Sequence, residues 1–158
     1  MMTIEPGIGY SGVFCSNRVF ESYAWMHHVY GLMGLGDGSW YDAVIPNYFN
    51  VNDFPYQEKK QDYLLYFVRI INRKGVATTV EVAKATCNMI YVVGQGDLDN
   101  KEEGLSLSQE SHIIYKPAVG PEERGELMKN AKAVLMPTYY LEPFGGGNVE
   151  NGLKKIIP

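Results

Sequence analysis

Cysteine is scarce in this chain. The 158 residues hold two, Cys15 and Cys87, with no paired spacing, which argues against a disulfide framework or a thiolate zinc site and suits a reducing compartment. Blocks of basic residues are also missing. Fourteen Lys and Arg stand against 18 Asp and Glu, for a net charge of −4, so a nucleic-acid or anionic-membrane surface is disfavoured and small soluble ligands are the better match. No apolar stretch approaches the ~20 residues needed to span a bilayer. Nor does the N-terminus carry the basic flank and apolar core of a signal peptide, so the expected location is cytoplasmic, without an integral membrane segment. Three histidines give no metal site: the neighbours His27 and His28 point to different faces of a helix and His112 is remote, so no metal or cofactor is expected. Aromatic residues, by contrast, are plentiful at 13% with 12 tyrosines, which argues against disorder and for half-wet surfaces. The length suits one ordinary domain with a sizeable core and falls short of two full Rossmann domains.

Taken in order, residues 1–12 show no periodicity and read as a loosely held lead-in. Val13-Phe14-Cys15 is a short strand candidate, and Ser16 or Asn17 can cap a helix over 17–30 whose apolar face is Phe20, Tyr23, Ala24, His27 and Tyr30. Tyr23, Trp25, Met26 and Tyr30 give that helix more apolar surface than one sheet can cover, so self-association through helix 17–30 is expected. Four glycines between Gly31 and Ser39 mark a mobile loop. Strands are expected at Ala43–Asn47, Tyr63–Val68, Ile90–Val93, His112–Tyr115 and Ala133–Met136, with helices opening after Gly75 and at Pro121 and a solvated polar excursion at 97–111. Strand and helix alternation of this kind predicts an α/β, Rossmann-like parallel sheet with helices on both faces.

Two stretches carry chemistry. The first is Glu142-Pro143-Phe144-Gly145-Gly146-Gly147-Asn148-Val149-Glu150, which follows the apolar run Ala133–Met136 and so occupies a strand-to-helix turn. Three glycines there let the backbone take positive φ and bring N–H groups close to a ligand, and a helix opening after Gly147 aims its positive end at an anion. Glu142 and Glu150 flank this cradle. Carboxylates repel phosphate but accept from hydroxyls, so the arrangement suits a sugar joined to a phosphate; the plainer alternative is a glycine-rich loop with solvated glutamates. The second stretch is Arg69 and Lys74, at the end of the Tyr63–Val68 strand and just before Gly75. Ligands bind at the carboxyl ends of parallel strands, so two cations there suit an anion, the alternative being solvated loop charges.

Glu-Pro-Phe-Gly-Gly with a second glutamate seven residues after the first resembles the signature of the family 4 group of retaining glycosyltransferases with the GT-B fold. Phe-x-Arg-Ile-x-x-x-Lys-Gly (Phe67 to Gly75) resembles the segment whose arginine and lysine hold the donor diphosphate in that family, with Val68 where glycine is usual. Gly94-Gln95-Gly96 resembles its Val-Gly-x-Gly turn. Val44-Ile45-Pro46-Asn47 resembles the segment that opens its C-terminal, donor-binding domain, with Tyr48 in place of glycine. Lys116-Pro117 falls where the family's backbone recognises the base, Pro117 standing for a glycine. The resemblance covers about residues 10–150 and ends after Glu150.

The resemblance implies a remnant of the acceptor domain at 1–40 and a truncated C-terminal nucleotide-sugar-binding domain at 41–158. It implies transfer of a sugar from a nucleotide-diphosphate donor to an unknown acceptor, this chain supplying the donor half and showing no transfer by itself. Arg69, Lys74 and Glu142 take the catalytic roles. Gly145, Gly146, Gly147, Glu150 and Lys116 bind the donor, and no metal is needed. The rival expectation is a non-catalytic nucleotide-sugar-binding module or an inactive fragment that needs a partner.

Overall fold

The computed structural model describes residues 2–50, 57–147 and 149. The chain divides into two compact units, Met1–Phe49 with Leu141–Gly146, and Asn50–Tyr140 with Gly147–Pro158.

The first unit holds a parallel three-stranded sheet, β1 (Ile4–Ile8), β2 (Asn17–Phe20) and β3 (Ala43–Val44), in the order β1-β2-β3, with α1 over Tyr23–Met33. Its start corrects the sequence reading. Residues 1–12 contain a paired strand, and Val13–Cys15 is not one. The helix expected at 17–30 begins only at Tyr23, because Asn17–Phe20 buries alternate side chains, Arg18 and Phe20, between two partner strands. Ser22 is the cap: its backbone is extended and its hydroxyl accepts the Trp25 N–H at 3.1 Å, satisfying one of the orphan donors of the first turn. The buried positions of α1 are Trp25 and Val29, four apart, which pack with Ile8 and Phe20 while Met26 and Tyr30 lean on them. Tyr23 stays 67% exposed. Of the four side chains behind the expected self-association, Trp25 is buried and Met26 and Tyr30 are partly buried inside their own unit.

Arg18 and Asp42 form a buried pair in this unit. Arg18 Nε and Nη2 donate to the two Asp42 oxygens at 2.9 and 2.7 Å, and the Tyr30 hydroxyl and the Ser39 N–H donate to the same carboxylate at 2.5 and 3.1 Å. Burial works against the charge on Asp42, but the bonds from Arg18, Tyr30 and Ser39 outweigh it and hold the carboxyl below its ordinary value. Burial, and then the bond to Asp42, pushes the Tyr30 hydroxyl up to about 12. Glu5, also buried, accepts from the Tyr10 hydroxyl and from the N–H groups of Phe14 and Cys15.

The second unit is a four-stranded parallel sheet in the order β8-β5-β4-β9: β4 (Tyr63–Phe67), β5 (Met89–Val93), β8 (Ile113–Lys116) and β9 (Ala133–Val134). Side chains alternate faces along β4. Leu64 and Tyr66 pack with Val76, Val80 and Ala83 of α2 (Val76–Ala85), and Tyr63 and Leu65 pack with Met128 of α3 (Pro121–Asn130). The helices therefore cover opposite faces of a Rossmann-like sheet. α3 opens with Pro121 and two acids, Glu122 and Glu123, the pattern that suits the positive end of a helix. Residues 97–111 are less solvated than their polarity implies: β6 (Asp99–Asn100) and β7 (Leu105–Ser106) form an antiparallel pair, Leu105 is buried, and Leu98 and Leu107 pack on the α2 side of the core. β9 is only half-buried, because among the described strands it pairs with β4 alone.

The chain lays β5 and then β8 to one side of β4, and α3 carries it back so that β9 lies on the other side. The strand order reverses between β4 and β9. In open α/β sheets ligands bind outside the carboxyl ends of the strands at such a reversal.

Candidate functional site

The loops that leave β4 and β9 at this reversal are locked to each other. After β4 the chain runs through Val68 and Arg69 into a 3-10 turn at Asn72–Lys74, and Gly75, at φ 76°, turns it into α2. A Cβ on Gly75 would lie 2.0 Å from the carbonyl oxygen of Pro137, on the loop after β9, so only glycine lets the two backbones approach this closely. The Tyr139 N–H donates to the Arg73 carbonyl at 2.9 Å, and the Thr78 and Tyr139 hydroxyls are hydrogen-bonded. On the β5 side the Ile70 N–H donates to the Gln95 carbonyl at 2.8 Å, and a Cβ on Gly94 would meet the Val68 oxygen at 2.1 Å. The Gly94-Gln95-Gly96 turn thus acts as a seat for the loop that carries Arg69. From below, the buried Tyr66 hydroxyl donates to the Arg69 carbonyl at 2.8 Å.

This scaffold presents three cations within six residues, Arg69, Arg73 and Lys74. Arg69 is exposed, and among the described residues no carboxylate lies in ion-pair reach of Arg69 or Arg73. The Arg73 guanidinium and the Lys74 ammonium lie 5.0 and 4.7 Å from the centre of one ring, that of Tyr140. Glu103, from the turn between β6 and β7, accepts the Asn72 N–H at 2.8 Å and braces the start of the 3-10 turn. Lys116 ends β8, level with Val93 and Phe67 across the sheet, and so lies at the same carboxyl edge. Its ammonium is held by Glu123 at 2.5 Å, a bond that raises its pKa. Val68 is partly buried and packs on the core. A hollow of about 310 Å³ between α2 and β9 is lined by Thr78, Thr79, Val82, Leu135, Met136 and their neighbours, without any of these cations.

Arg69, Lys74, Lys116 and Gly147 all belong to the second unit. Gly147 is helical, close against Met136, where a Cβ would lie 2.5 Å from the Met136 methyl. Glu142, Gly145 and Gly146 belong to the first unit. Gly145 takes φ 75°, as the turn requires, and Gly146 is already helical. Their segment is fixed within that unit by Phe144, whose ring stacks on Phe49 at 6.0 Å, and by the Pro143 carbonyl, which accepts from the Ser22 hydroxyl. Glu150 lies outside the described residues. Sequence reasoning missed Arg73 and Tyr140. The Arg73-Lys74-Gly75 run was a signal for the first; nothing local pointed to the second. Among the described residues no group of three His, Cys, Asp or Glu is placed to hold a metal, and no helix is long and apolar enough to cross a membrane.

A parallel sheet covered by helices on both faces, with clustered cations at its strand-order reversal, defines an α/β protein of the Rossmann-like class. The family it comes from is settled by comparison: the model of glycosyl transferases group 1 matches residues 50–151, and the chain belongs to that family. Solved structures similar to it are GT-B glycosyltransferases. AviGT4, a glycosyltransferase involved in avilamycin A biosynthesis, is 22% identical with a TM-score of 0.68, over 87% of this chain and 42% of its own. HepE of Anabaena, in complex with UDP and glucose, is 20% identical with a TM-score of 0.71, over 89% and 43%. Sucrose-phosphate synthase of Thermosynechococcus elongatus is 18% identical with a TM-score of 0.63, over 85% and 37%. Likeness at these identities establishes the fold, and the chain spans less than half the length of each. No curated protein matches it in sequence.

Proposed function

We infer that the chain is the donor-binding half of a retaining, nucleotide-sugar-dependent glycosyltransferase, with the diphosphate seated on Arg69, Arg73 and Lys74. The observation that carries this is the gathering of three cations at the carboxyl end of β4, beside the β4/β9 reversal, with no carboxylate among the described residues paired to Arg69 or Arg73. Family membership and the UDP–glucose complex of the similar HepE structure support it. In such a transfer the sugar passes through an oxocarbenium-like state while the nucleoside diphosphate departs. Negative charge grows on the leaving phosphate, and cations fixed in advance stabilise it without reorganising at the moment of reaction. Arginine suits this role because its planar fork can hold two phosphate oxygens at once. In the second unit the Gly147 N–H group adds to the diphosphate seat, Glu150 holds the ribose and Lys116 borders the base; the roles of Glu142, Gly145 and Gly146 are those that the family resemblance implies.

Calorimetric titration with UDP, GDP and ADP tests the site. At least one binds, and Arg69→Ala weakens it by about 1.5–3 kcal/mol, the scale of a hydrogen bond to a charged group. No heat with any of the three at millimolar concentration overturns the assignment. The chain by itself should transfer no sugar to simple glycosides, and acceptor-dependent transfer that disappears in Glu142→Gln would show that it is more than the donor-binding half.

A further inference from the structure

Two cations gathered at one tyrosine ring repel each other, so their position needs a cause. Arg73 and Lys74 are adjacent in sequence, yet both bring their charge to within 5.0 Å of the Tyr140 ring centre. The face of an aromatic ring carries negative charge density and attracts cations. The ring reaches them across a 66-residue separation in sequence, from the loop after β9. That loop is itself fastened at its base, since the Tyr139 N–H is bonded to the Arg73 carbonyl and the Pro137 carbonyl is packed on Gly75. The ring is therefore carried on the same backbone lock that shapes the cation loop. An ammonium lying on a ring face directs N–H donors away from the ring.

We propose that Tyr140 is a positioning residue, whose ring holds the Lys74 and Arg73 side chains extended toward the donor diphosphate before it arrives. This rests on the nucleotide reading of the site above. Its physical content is preorganisation: lysine and arginine have many rotamers, and freezing one such side chain on binding costs about 0.5–1.5 kcal/mol, a cost the ring removes in advance. Arg69 is exposed and has no such support among the described residues.

The test uses the full chain and whichever of UDP, GDP and ADP binds most tightly. Tyr140→Leu keeps apolar bulk but removes the ring, and should weaken binding about two- to tenfold, the range that ordering cost converts to. Tyr140→Phe keeps the ring and should restore wild-type affinity. In a Lys74→Met, Arg73→Gln background, Tyr140→Leu should have no further effect, because the ring acts through those two side chains. An independent reading comes from NMR of the wild type without nucleotide: the Lys74 ε-methylene protons should be displaced upfield by the ring, and should return to the ordinary position in Tyr140→Leu. Unchanged affinity in Tyr140→Leu, or an equal loss in Tyr140→Phe, overturns this inference while leaving the nucleotide site standing. A wild type that binds no nucleotide overturns the site, whether or not the ring displacement is seen, and this inference with it.

Discussion

Replacing Gly75 by alanine tests the lock between the β4 and β9 loops directly. At φ 76° an L-residue sits in the left-handed region, which costs about 1–2 kcal/mol. The new Cβ would also lie 2.0 Å from the Pro137 oxygen and 2.9 Å from its carbonyl carbon. That oxygen is backbone and cannot rotate away. Its loop is held on one side by the Leu135 N–H bond to the Leu65 carbonyl at 2.8 Å and on the other by the Tyr139 bond to Arg73 at 2.9 Å. Relief therefore means moving one whole loop, and overpacking of that kind costs about 1–3 kcal/mol. The two terms together predict a loss of roughly 2–5 kcal/mol from the second unit. With a urea dependence of about 1–3 kcal/mol per molar, the midpoint should fall by on the order of 1–2 M. Both tryptophans, Trp25 and Trp40, belong to the first unit, so the transition must be followed by far-ultraviolet circular dichroism, with tryptophan emission as a separate record of the first unit. A midpoint unchanged by Gly75→Ala would mean that the Pro137 carbonyl does not pack on this glycine, and the lock would have to be abandoned.

Gly125→Ala is the matching control: this α3 glycine has open space around its missing Cβ, and alanine should stabilise the second unit by up to about 1 kcal/mol, read as a higher urea midpoint. The first unit should be acid-sensitive. Asp42 and Glu5 both titrate below their ordinary values of 3.8 and 4.5 in the folded chain, so the stability they confer is present above those values and is lost as the pH falls through the lower, folded ones. Tryptophan emission should report an acid transition that begins below about pH 4.5, and Asp42→Asn should make it shallower; an identical profile in that variant would refute the linkage.

The second unit was legible where burial is periodic and local. Tyr63–Phe67 is a run of apolar and aromatic residues, and Val76, Val80 and Ala83 recur at helical spacing, so β4, α2 and the loop with Arg69 and Lys74 between them followed from the sequence. β1 did not, for a physical reason. Its Ile4-Glu5-Pro6-Gly7-Ile8 carries both strand breakers, buries Glu5 and Ile8 rather than alternate residues, and shifts register between them. α1 was misplaced because Ser16 and Asn17 are both good cap residues, and only the pairing of Asn17–Phe20 with two other strands moves the helix start to Ser22. Leu98, Leu105 and Leu107 are scattered through a polar stretch with no sustained helix or strand period, so no pattern marks the burial of Leu105. Tyr140 over Lys74 is a contact made by the fold as a whole.

The attachment of Pro143 to Ser22, 121 residues apart, has a consequence for the order of events during synthesis. The piece that completes the first unit, Leu141–Gly146, follows the main run of the second, Asn50–Tyr140. A ribosome adding about 5–20 residues per second delivers the first 49 residues several seconds before residues 141–146 exist. Contacts so distant in sequence close late. The earlier-made part must therefore wait, unfinished, while the main run of the second unit is made, and the Glu-Pro-Phe-Gly segment is the last piece of the first unit to arrive.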